Sequence, residues 1–434
     1  MTLRLDSAEP GFDERFSALV AARRGRDEDV DGAVAAIIAD VRERGDDALI
    51  ELTARFDRVE LTPDTLRLGA DEIAAGAADC PPETVAALEF AARRIEDYHR
   101  RQMPRPLAYR DAEGVELGER WTPLDSVGLY VPGGTAAYPS TVLMNAVPAR
   151  VAGVGRVAMA MPTPDGALAP SALAAARIAR IDEIYRIGGA QAIAALAFGT
   201  ASVAPVDKIV GPGNAYVAAA KRQVFGTVGI DTIAGPSEIV VVADADNDPH
   251  WIAADLLAQA EHDEAARAIL ITDDGAFGDA VAAAVERHLA GLERAAIAGA
   301  SWRANGAIIR VARLDDAAAL IDRLAPEHLE LAVADPDALA DRVRHAGAIF
   351  LGRHTPEAIG DYVAGPNHVL PTARSARFSS GLSVLDFLKR TSLVRCSAEA
   401  LAKIGPAAVT LATAEGLGAH ALSVQIRLDR GRAR

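Results

Sequence analysis

Residues 127–161 read VGLYVPGGTAAYPSTVLMNAVPARVAGVGRVAMAM. An apolar run, Val127–Val131, ends in a Pro-Gly-Gly turn; a helical segment starts near Ser140; a second apolar run follows at Arg156–Met161. Strand, glycine turn, helix and strand in this order make a βαβ unit, whose crossover leaves its two strands parallel. Downstream the alternation continues, with candidate strands at Glu183–Ile187, Lys208–Val210 and Val228–Asp231 and helices starting near Ala169, Gly189 and Asn214. We read 126–235 as one Rossmann-like, doubly wound domain.

A second series begins at Glu238. Its candidate strands are Ile239–Ala243, Ala268–Thr272, Ala307–Val311, Leu329–Ala332 and Ala348–Leu351, and its helices begin near Pro249, Ala276, Asp315 and Pro336. Asp248 followed by Pro249 is a helix start, an N-cap acceptor before a residue with no N–H to lose. This predicts a second Rossmann-like domain over 236–380. Upstream, 1–125 reads as mostly helical. Asp29–Arg44 carries Val30, Val34, Ile37, Ile38 and Val41 at helical spacing, and Glu83–Arg101 repeats the pattern through Val85, Leu88 and Ile95. A hairpin-like stretch follows at Leu107–Trp121, and the N-terminal helices are expected to pack on the second sheet. Residues 381–434 read as a small helical tail. The fold class is therefore α/β: two doubly wound sheets, an N-terminal helical region and a helical tail.

Bulk properties agree. A chain of 434 residues, half of them hydrophobic, can bury two or three cores. A net charge of −15 argues against nucleic acid as a partner, since phosphate binding needs a basic surface. The two cysteines, Cys80 and Cys396, form no CxxC pair, so neither a thiolate metal site nor a disulfide framework is expected, and such sparse usage fits a reducing cytoplasm. Met1–Arg15 lacks the apolar core of a signal peptide, and no apolar run approaches the roughly 20 residues of a membrane span.

The nucleotide-binding motif is incomplete. Gly153-Val-Gly155-Arg-Val-Ala158 fits GxGxxA, but it follows a helix and runs into a strand, the reverse of the required order. A helix C-cap and turn accounts for it better. Two other segments, Tyr130-Val-Pro-Gly133-Gly134-Thr135 and Val210-Gly211-Pro-Gly213-Asn214, join a strand end to a helix start. Free N–H groups and the helix dipole favour an anion there. Each reads equally as a structural turn, and neither identifies a particular nucleotide.

Nine histidines invite a search for a metal site. Gln259 and His262 are three residues apart on the helix that starts at Asp248 and share a face. Glu327-His328, just before a strand, pairs an acid with an imidazole that titrates near neutrality, a combination suited to proton transfer. Gly360-Asp361-Tyr362 and Gly365-Pro366-Asn367-His368 follow the last strand of the second series, and Glu415 and His420 flank a glycine-broken helical stretch. Oxygen and imidazole donors from Gln259, His262, Asp361 and His420 suit Zn²⁺ or Mn²⁺. Taken singly, each of these has an ordinary structural reading. His99, His250, His288, His345 and His354 read mostly as solvated. Ser237 lies outside a GxSxG elbow, and Cys396 has no histidine near it in sequence.

Six longer segments are more specific. Ile230–Glu238 (IDTIAGPSE), Asp255–His262 (DLLAQAEH), Leu324–Leu329 (LAPEHL), Gly347–Gly352 (GAIFLG), Asn367–Pro371 (NHVLP) and Gly381–Arg390 (GLSVLDFLKR) resemble, in order, the signature segments of histidinol dehydrogenases. The resemblance covers the whole chain. It implies a tight homodimer whose tail reaches into the partner's site, and a zinc ion held by Gln259, His262, Asp361 and His420, the last from the other subunit. It also implies substrate contacts at Ser237, Gln259, His262, His328, Asp361, His368, Glu415 and His420, and NAD contacts at Tyr130, Gln191 and Asn214. Glu327 and His328 would be the catalytic pair in a four-electron oxidation of L-histidinol through its aldehyde to L-histidine. The competing expectations are a zinc-dependent hydrolase with Glu327 as general base, disfavoured by the missing HExxH, and a non-catalytic dimer that kept the fold.

Overall fold

The structure, a computed structural model, describes residues 2–22, 30–133, 138–233 and 235–432. Asp29 at the start of the first amphipathic segment, Gly134 and Thr135 of the first glycine turn, and Ala234 lie outside the described residues. The chain opens with β1 (Leu3–Asp6) and helices α1 (Phe12–Ala21), α2 (Asp31–Arg44), α3 (Asp46–Asp57), α4 (Ala70–Ala78) and α5 (Pro82–Arg101), then the antiparallel strands β2 (Leu107–Arg110) and β3 (Glu116–Pro123).

The first parallel series is β4 (Ser126–Tyr130), α6 (Pro139–Ala152), β5 (Arg156–Ala160), α7 (Pro170–Ile178), β6 (Glu183–Tyr185), α8 (Gly189–Phe198), β7 (Lys208–Val210), α9 (Ala215–Val224) and β8 (Gly229–Ile230). Its strands lie in the order β6-β5-β4-β7-β8. The chain walks one way from β4 and then returns to its other side, so the crevice of the doubly wound sheet opens beyond the carboxyl ends of β4 and β7. Gly153 caps α6 in the left-handed region, at φ 93°, and β5 starts three residues later. The Gly153–Ala158 match to a phosphate loop is thus a helix end and a turn, as its order implied.

The second series is β9 (Glu238–Ala243), α10 (Pro249–Ala260), β10 (Arg267–Thr272), α11 (Gly275–Leu289), α12 (Ala295–Asn305), β11 (Ala307–Arg310), α13 (Ala317–Leu324), β12 (His328–Ala332), α14 (Pro336–Ala340), β13 (Ala348–Leu351) and α15 (Ala358–Tyr362). Its order, β1-β11-β10-β9-β12-β13, repeats the first with one added edge strand. Asp248 caps α10 as its sequence promised, its side chain accepting the His250 N–H. The chain ends with β14 (Leu388–Arg395), α16 (Ala398–Ala414) and α17 (Gly418–Arg432).

Three expectations need correction. The N-terminal helices do not pack on the second sheet. Val34, Ile38, Val41 and Leu49 share a core with Ile193, Leu196 and Val217 of the first sheet's helices, and Leu88 and Ile95 pack with Val142, Leu143 and Met159. Only β1 and α1 join the second sheet, with Phe16 and Leu19 buried against Ile309 and Leu320. The reason lies in α6 and α8. Every residue from Thr141 to Ala149, and from Ala190 to Ala197, is buried. Helices apolar all round need a second layer over them, and the N-terminal helices provide it.

Second, the segment 381–434 is not wholly helical. It begins with β14, which pairs antiparallel with β3 from Leu388↔Pro123 to Arg395↔Glu116. Most of β14 is exposed, so it carries no apolar alternation to reveal it. Third, His99 is buried, and its Nδ1 donates to the Ile95 carbonyl at 2.8 Å.

The first sheet's carboxyl edge faces residues that follow the second sheet. Thr141, near the start of α6, lies 3.4 Å from His368 Nε2, and the Asn367 side-chain amide donates to the Met144 carbonyl at 2.5 Å. At that edge Gly211 has φ +110°, and a Cβ there would stand 2.2 Å from the Tyr130 carbonyl oxygen. Gly211→Ala is therefore expected to lower stability by roughly 2–4 kcal/mol, the sum of left-handed strain and a backbone clash. Urea denaturation reads this directly, and a loss below about 0.5 kcal/mol would show that the turn moves aside freely.

Candidate active site

His328 is the first residue of β12, which runs parallel to β9 with His328 opposite Ile239. This register sets the imidazole beside the backbone of Glu238, and its Nδ1 lies 3.2 Å from the Glu238 carbonyl oxygen. A carbonyl only accepts, so Nδ1 carries the proton and Nε2 keeps its lone pair. Nε2 has no hydrogen-bond partner and stands 3.5 Å from Glu357 Oε1. The preceding Glu327 is also buried. Its Oε2 accepts the Glu238 N–H at 3.0 Å and lies 3.8 Å from His328 Nδ1. The backbone of one β9 residue, Glu238, thus orients both members of the pair. Burial holds the His328 imidazole down at about 4, against the opposing pull of Asp361, so it is neutral at physiological pH and ready to accept a proton.

Next to this pair stands a group of ligating side chains. Asp361 lies within α15, with Glu357 one turn earlier at the helix start. Asp361 Oδ2 is 4.0 Å from His262 Nε2, and its Oδ1 is 3.7 Å from His368 Nδ1. His368 Nδ1 donates to the Asp361 carbonyl at 3.0 Å, and its Nε2 faces the Thr141 hydroxyl. Ligand atoms of His328, Glu357 and Asp361 all lie within 4.8 Å of one another. Burial, reinforced by Asp361, pushes the Glu357 carboxyl up to about 9. Gln259 at the end of α10 is buried, and its Oε1 has no hydrogen-bond partner. Crowded acids, two imidazoles and an orphaned buried amide oxygen are a donor set that fits a divalent cation such as zinc.

The structure therefore brings together Glu327, His328, Asp361, His262 and His368, with Ser237 adjoining at the entry to β9. It corrects one detail, since α10 ends at Ala260 and His262 lies in the turn beyond it rather than on the helix. Glu415 and His420 are not part of the cluster within one chain; both are exposed, Glu415 in the turn that ends α16 and His420 on α17. Glu357 and Thr141 were missed in the sequence. Glu357 left one signal, standing four residues before Asp361 and so on the same helical face.

The residues expected to meet NAD gather at the carboxyl edge of the first sheet. Tyr130 ends β4, and its hydroxyl accepts the Gly189 N–H at 3.0 Å. Burial pushes this phenol up to about 12. Gln191, one turn into α8, is buried, with its Oε1 beside Gly189. Asn214 caps α9, its Oδ1 accepting the Val217 N–H at 3.1 Å. The turn before it is fixed by a buried ion pair. Lys221 pairs with Asp231 and donates to the Gly211 carbonyl, while Asp231 Oδ2 accepts the Gly211 N–H at 2.7 Å. Such a turn, at a strand end and a helix start on the sheet's crevice, suits a dinucleotide.

Known proteins match this chain over nearly its whole length. The family model for histidinol dehydrogenase matches residues 21–428. The chain is 66% identical over 426 residues to a histidinol dehydrogenase of Ruegeria pomeroyi, covering 98% of each. It is 65% identical over 432 residues to that of Rhodospirillum rubrum, covering 99% of this chain and all of the relative. A crystal structure of histidinol dehydrogenase from Elizabethkingia anophelis superposes with a TM-score of 0.95 at 35% identity, covering 99% of this chain and 98% of that one. An acetylating aldehyde dehydrogenase from Geobacillus thermoglucosidasius, 13% identical with a TM-score of 0.50 over 85% of this chain and 98% of its own, shares the fold alone. The two parallel sheets, the buried Glu327-His328 pair and these matches lead to one conclusion: the chain belongs to the histidinol dehydrogenase family, whose members are NAD-dependent oxidoreductases.

Proposed function

We propose that this chain oxidises L-histidinol through L-histidinaldehyde to L-histidine with two NAD⁺, the last step of histidine biosynthesis, using a zinc ion. The observation that carries the reading is His328, whose Nδ1 is committed to the Glu238 carbonyl while its unpartnered Nε2 points to the acidic cluster. Gln259, His262 and Asp361 would hold zinc, with His420 of a second copy as fourth ligand. Tyr130, Gln191 and Asn214 would contact NAD. When bound, zinc supplies a Lewis acid that fixes the substrate's imidazole and amine nitrogens, and NAD⁺ supplies the hydride acceptor of each oxidation.

The protein's own groups handle the protons. His328 Nε2 takes the alcohol proton in the first oxidation. Glu327 draws a proton from water as its oxygen adds to the aldehyde carbon. His328 returns its proton to the aldehyde oxygen as the hydrate forms, and then takes a hydroxyl proton of the hydrate in the second oxidation. Ser237, His368 and Glu415 would line the substrate, and keeping the aldehyde enclosed between steps prevents its loss. A homodimer is supported by the tail, where Val394, Leu411 and Leu422 are each 60% or more exposed. Apolar residues left open along the same segment that carries Glu415 and His420 call for a covering surface. We place the enzyme in the cytoplasm on its sparse, unpaired cysteines; among the described residues no helix is long and apolar enough to cross a membrane.

Purified protein should form two NADH per L-histidinol, lose this activity with a chelator and regain it with zinc. One NADH per substrate would remove Glu327 from its role; zinc binding without NADH would favour hydrolysis or simple binding. His328→Asn should lower both oxidations by roughly 10²–10⁴-fold, whereas Glu327→Gln should slow only the aldehyde step, as followed by supplying the aldehyde directly. Sharing of the tail has its own test. His262→Ala and His420→Ala homodimers should both be inactive, but refolding the two together should restore activity, because a mixed dimer contains one site with neither substitution. If the mixture stays inactive, His420 serves its own subunit.

A further inference from the structure

Two carboxyls outside the reacting group, Glu330 fully buried and Asp255 half-buried, sit where the parts of the site meet. Glu330 follows His328 by two residues on β12 and lies opposite Val241 of β9. Side chains two apart on a strand share a face. That face is the one covered by α10, since Ile239, Val241, Ala243 and Ala332 form one core with Ile252, Ala253 and Leu256. Asp255 precedes Gln259 by four residues on α10, so these two also share a face. The Asp255 and Glu330 carboxyls are hydrogen-bonded to each other, and the backbone N–H of Glu357 is directed at Glu330. Glu330 is 1% exposed, and its Oε2 finds no donor among its neighbours.

Two carboxyls in contact, one of them fully buried, resist ionising together. One proton between them turns repulsion into a short-range clamp, and the otherwise donorless Oε2 of Glu330 is then an O–H. We propose that Asp255 and Glu330 share a single proton and act together as positioning residues, tying α10, β12 and the start of α15 into one spacing and thereby holding Gln259, His328 and Asp361 in register. Burial first, then the neighbouring Asp255, pushes Glu330 up to about 9, while burial raises Asp255 to about 6. Glu330, the fully buried member with an oxygen that meets no donor, is the side on which the proton is placed. Neither residue touches the reacting atoms; each acts through the element that carries one.

The consequence for the metal rests on the zinc reading above, so the experiment separates the two. Zn²⁺ affinity is measured by competition with a chromophoric chelator, with kcat and KM for L-histidinol, in wild type, Glu330→Gln, Glu330→Leu and Val242→Ala. The last lies on the opposite face of β9, in the other core, and reports simple loss of stability. The amide of Glu330→Gln can donate to Asp255 and accept from Glu357 N–H, so this variant should stay within about threefold of wild type. Glu330→Leu should weaken zinc binding by roughly 10–100-fold, the usual effect of losing a partner behind metal ligands, and lower kcat. Where Glu330→Leu does not fold, Asp255→Ala, at a half-buried position, should show the same loss. Overturning the proposal takes Glu330→Leu or Asp255→Ala with wild-type zinc affinity and kcat, or the same pattern as Val242→Ala. Absence of zinc binding by the wild type sinks the metal reading instead. The clamp is then decided by kcat/KM alone: a tenfold or greater loss in Glu330→Leu that Glu330→Gln restores supports it, and unchanged kcat/KM overturns it.

Discussion

One residue of β9, Glu238, orients through its backbone the acid and the imidazole on which the proposed chemistry rests. Its N–H binds the Glu327 carboxylate and its carbonyl binds the His328 imidazole. Those bonds exist because β9 and β12 are adjacent and parallel although almost ninety residues of helix and strand lie between them. The doubly wound order returns the chain to the central strand after it has built one half of the sheet. A backbone donor and acceptor inside a sheet have little freedom, so the tautomer of His328 and the direction of its free nitrogen are set by the fold rather than by a mobile side chain.

The two sheets contribute opposite ends. Tyr130, the Gly211–Asn214 turn and the start of α8 lie at the carboxyl edge of the first sheet, where open α/β sheets bind their ligands. Glu327 and His328 lie at the amino ends of the second sheet's strands. The residues after β13 bridge the gap, with His368 facing Thr141 and Asn367 bonded to the Met144 carbonyl. On the proposed reading, a hydride acceptor held by one edge would face a base held by the other. The first sheet reaches this position because its all-apolar helices are clad by the N-terminal region, leaving the edge rather than the faces open.

Charge explains much of what surrounds His328. Glu327, Glu357, Asp361 and Glu330 crowd one imidazole in a largely buried volume. Such a density of acids is costly unless protons or a cation intervene. Near the proposed metal position the imidazoles of His262 and His368 and the amide of Gln259 are available; farther in, Asp255 and Glu330 have each other and the Glu357 N–H. The tail is the converse case, poorly covered and carrying Glu415 and His420 away from the cluster.

The sequence alone determined the two α/β series, because strand and helix periods and glycine turns are local properties. It also carried the candidate site, because the residues of an active centre cluster in recognisable segments such as LAPEHL and DLLAQAEH. It misdirected the N-terminal helices, since an amphipathic period says that a face is buried but not against what. It concealed β14, whose exposed residues have no apolar alternation, and it hid Glu357, Glu330 and Asp255, whose significance depends on neighbours far along the chain. Only the tertiary structure decided these points. A buried carboxyl is defined by the atoms around it, and parallel strands obtain those atoms from segments that no local pattern connects.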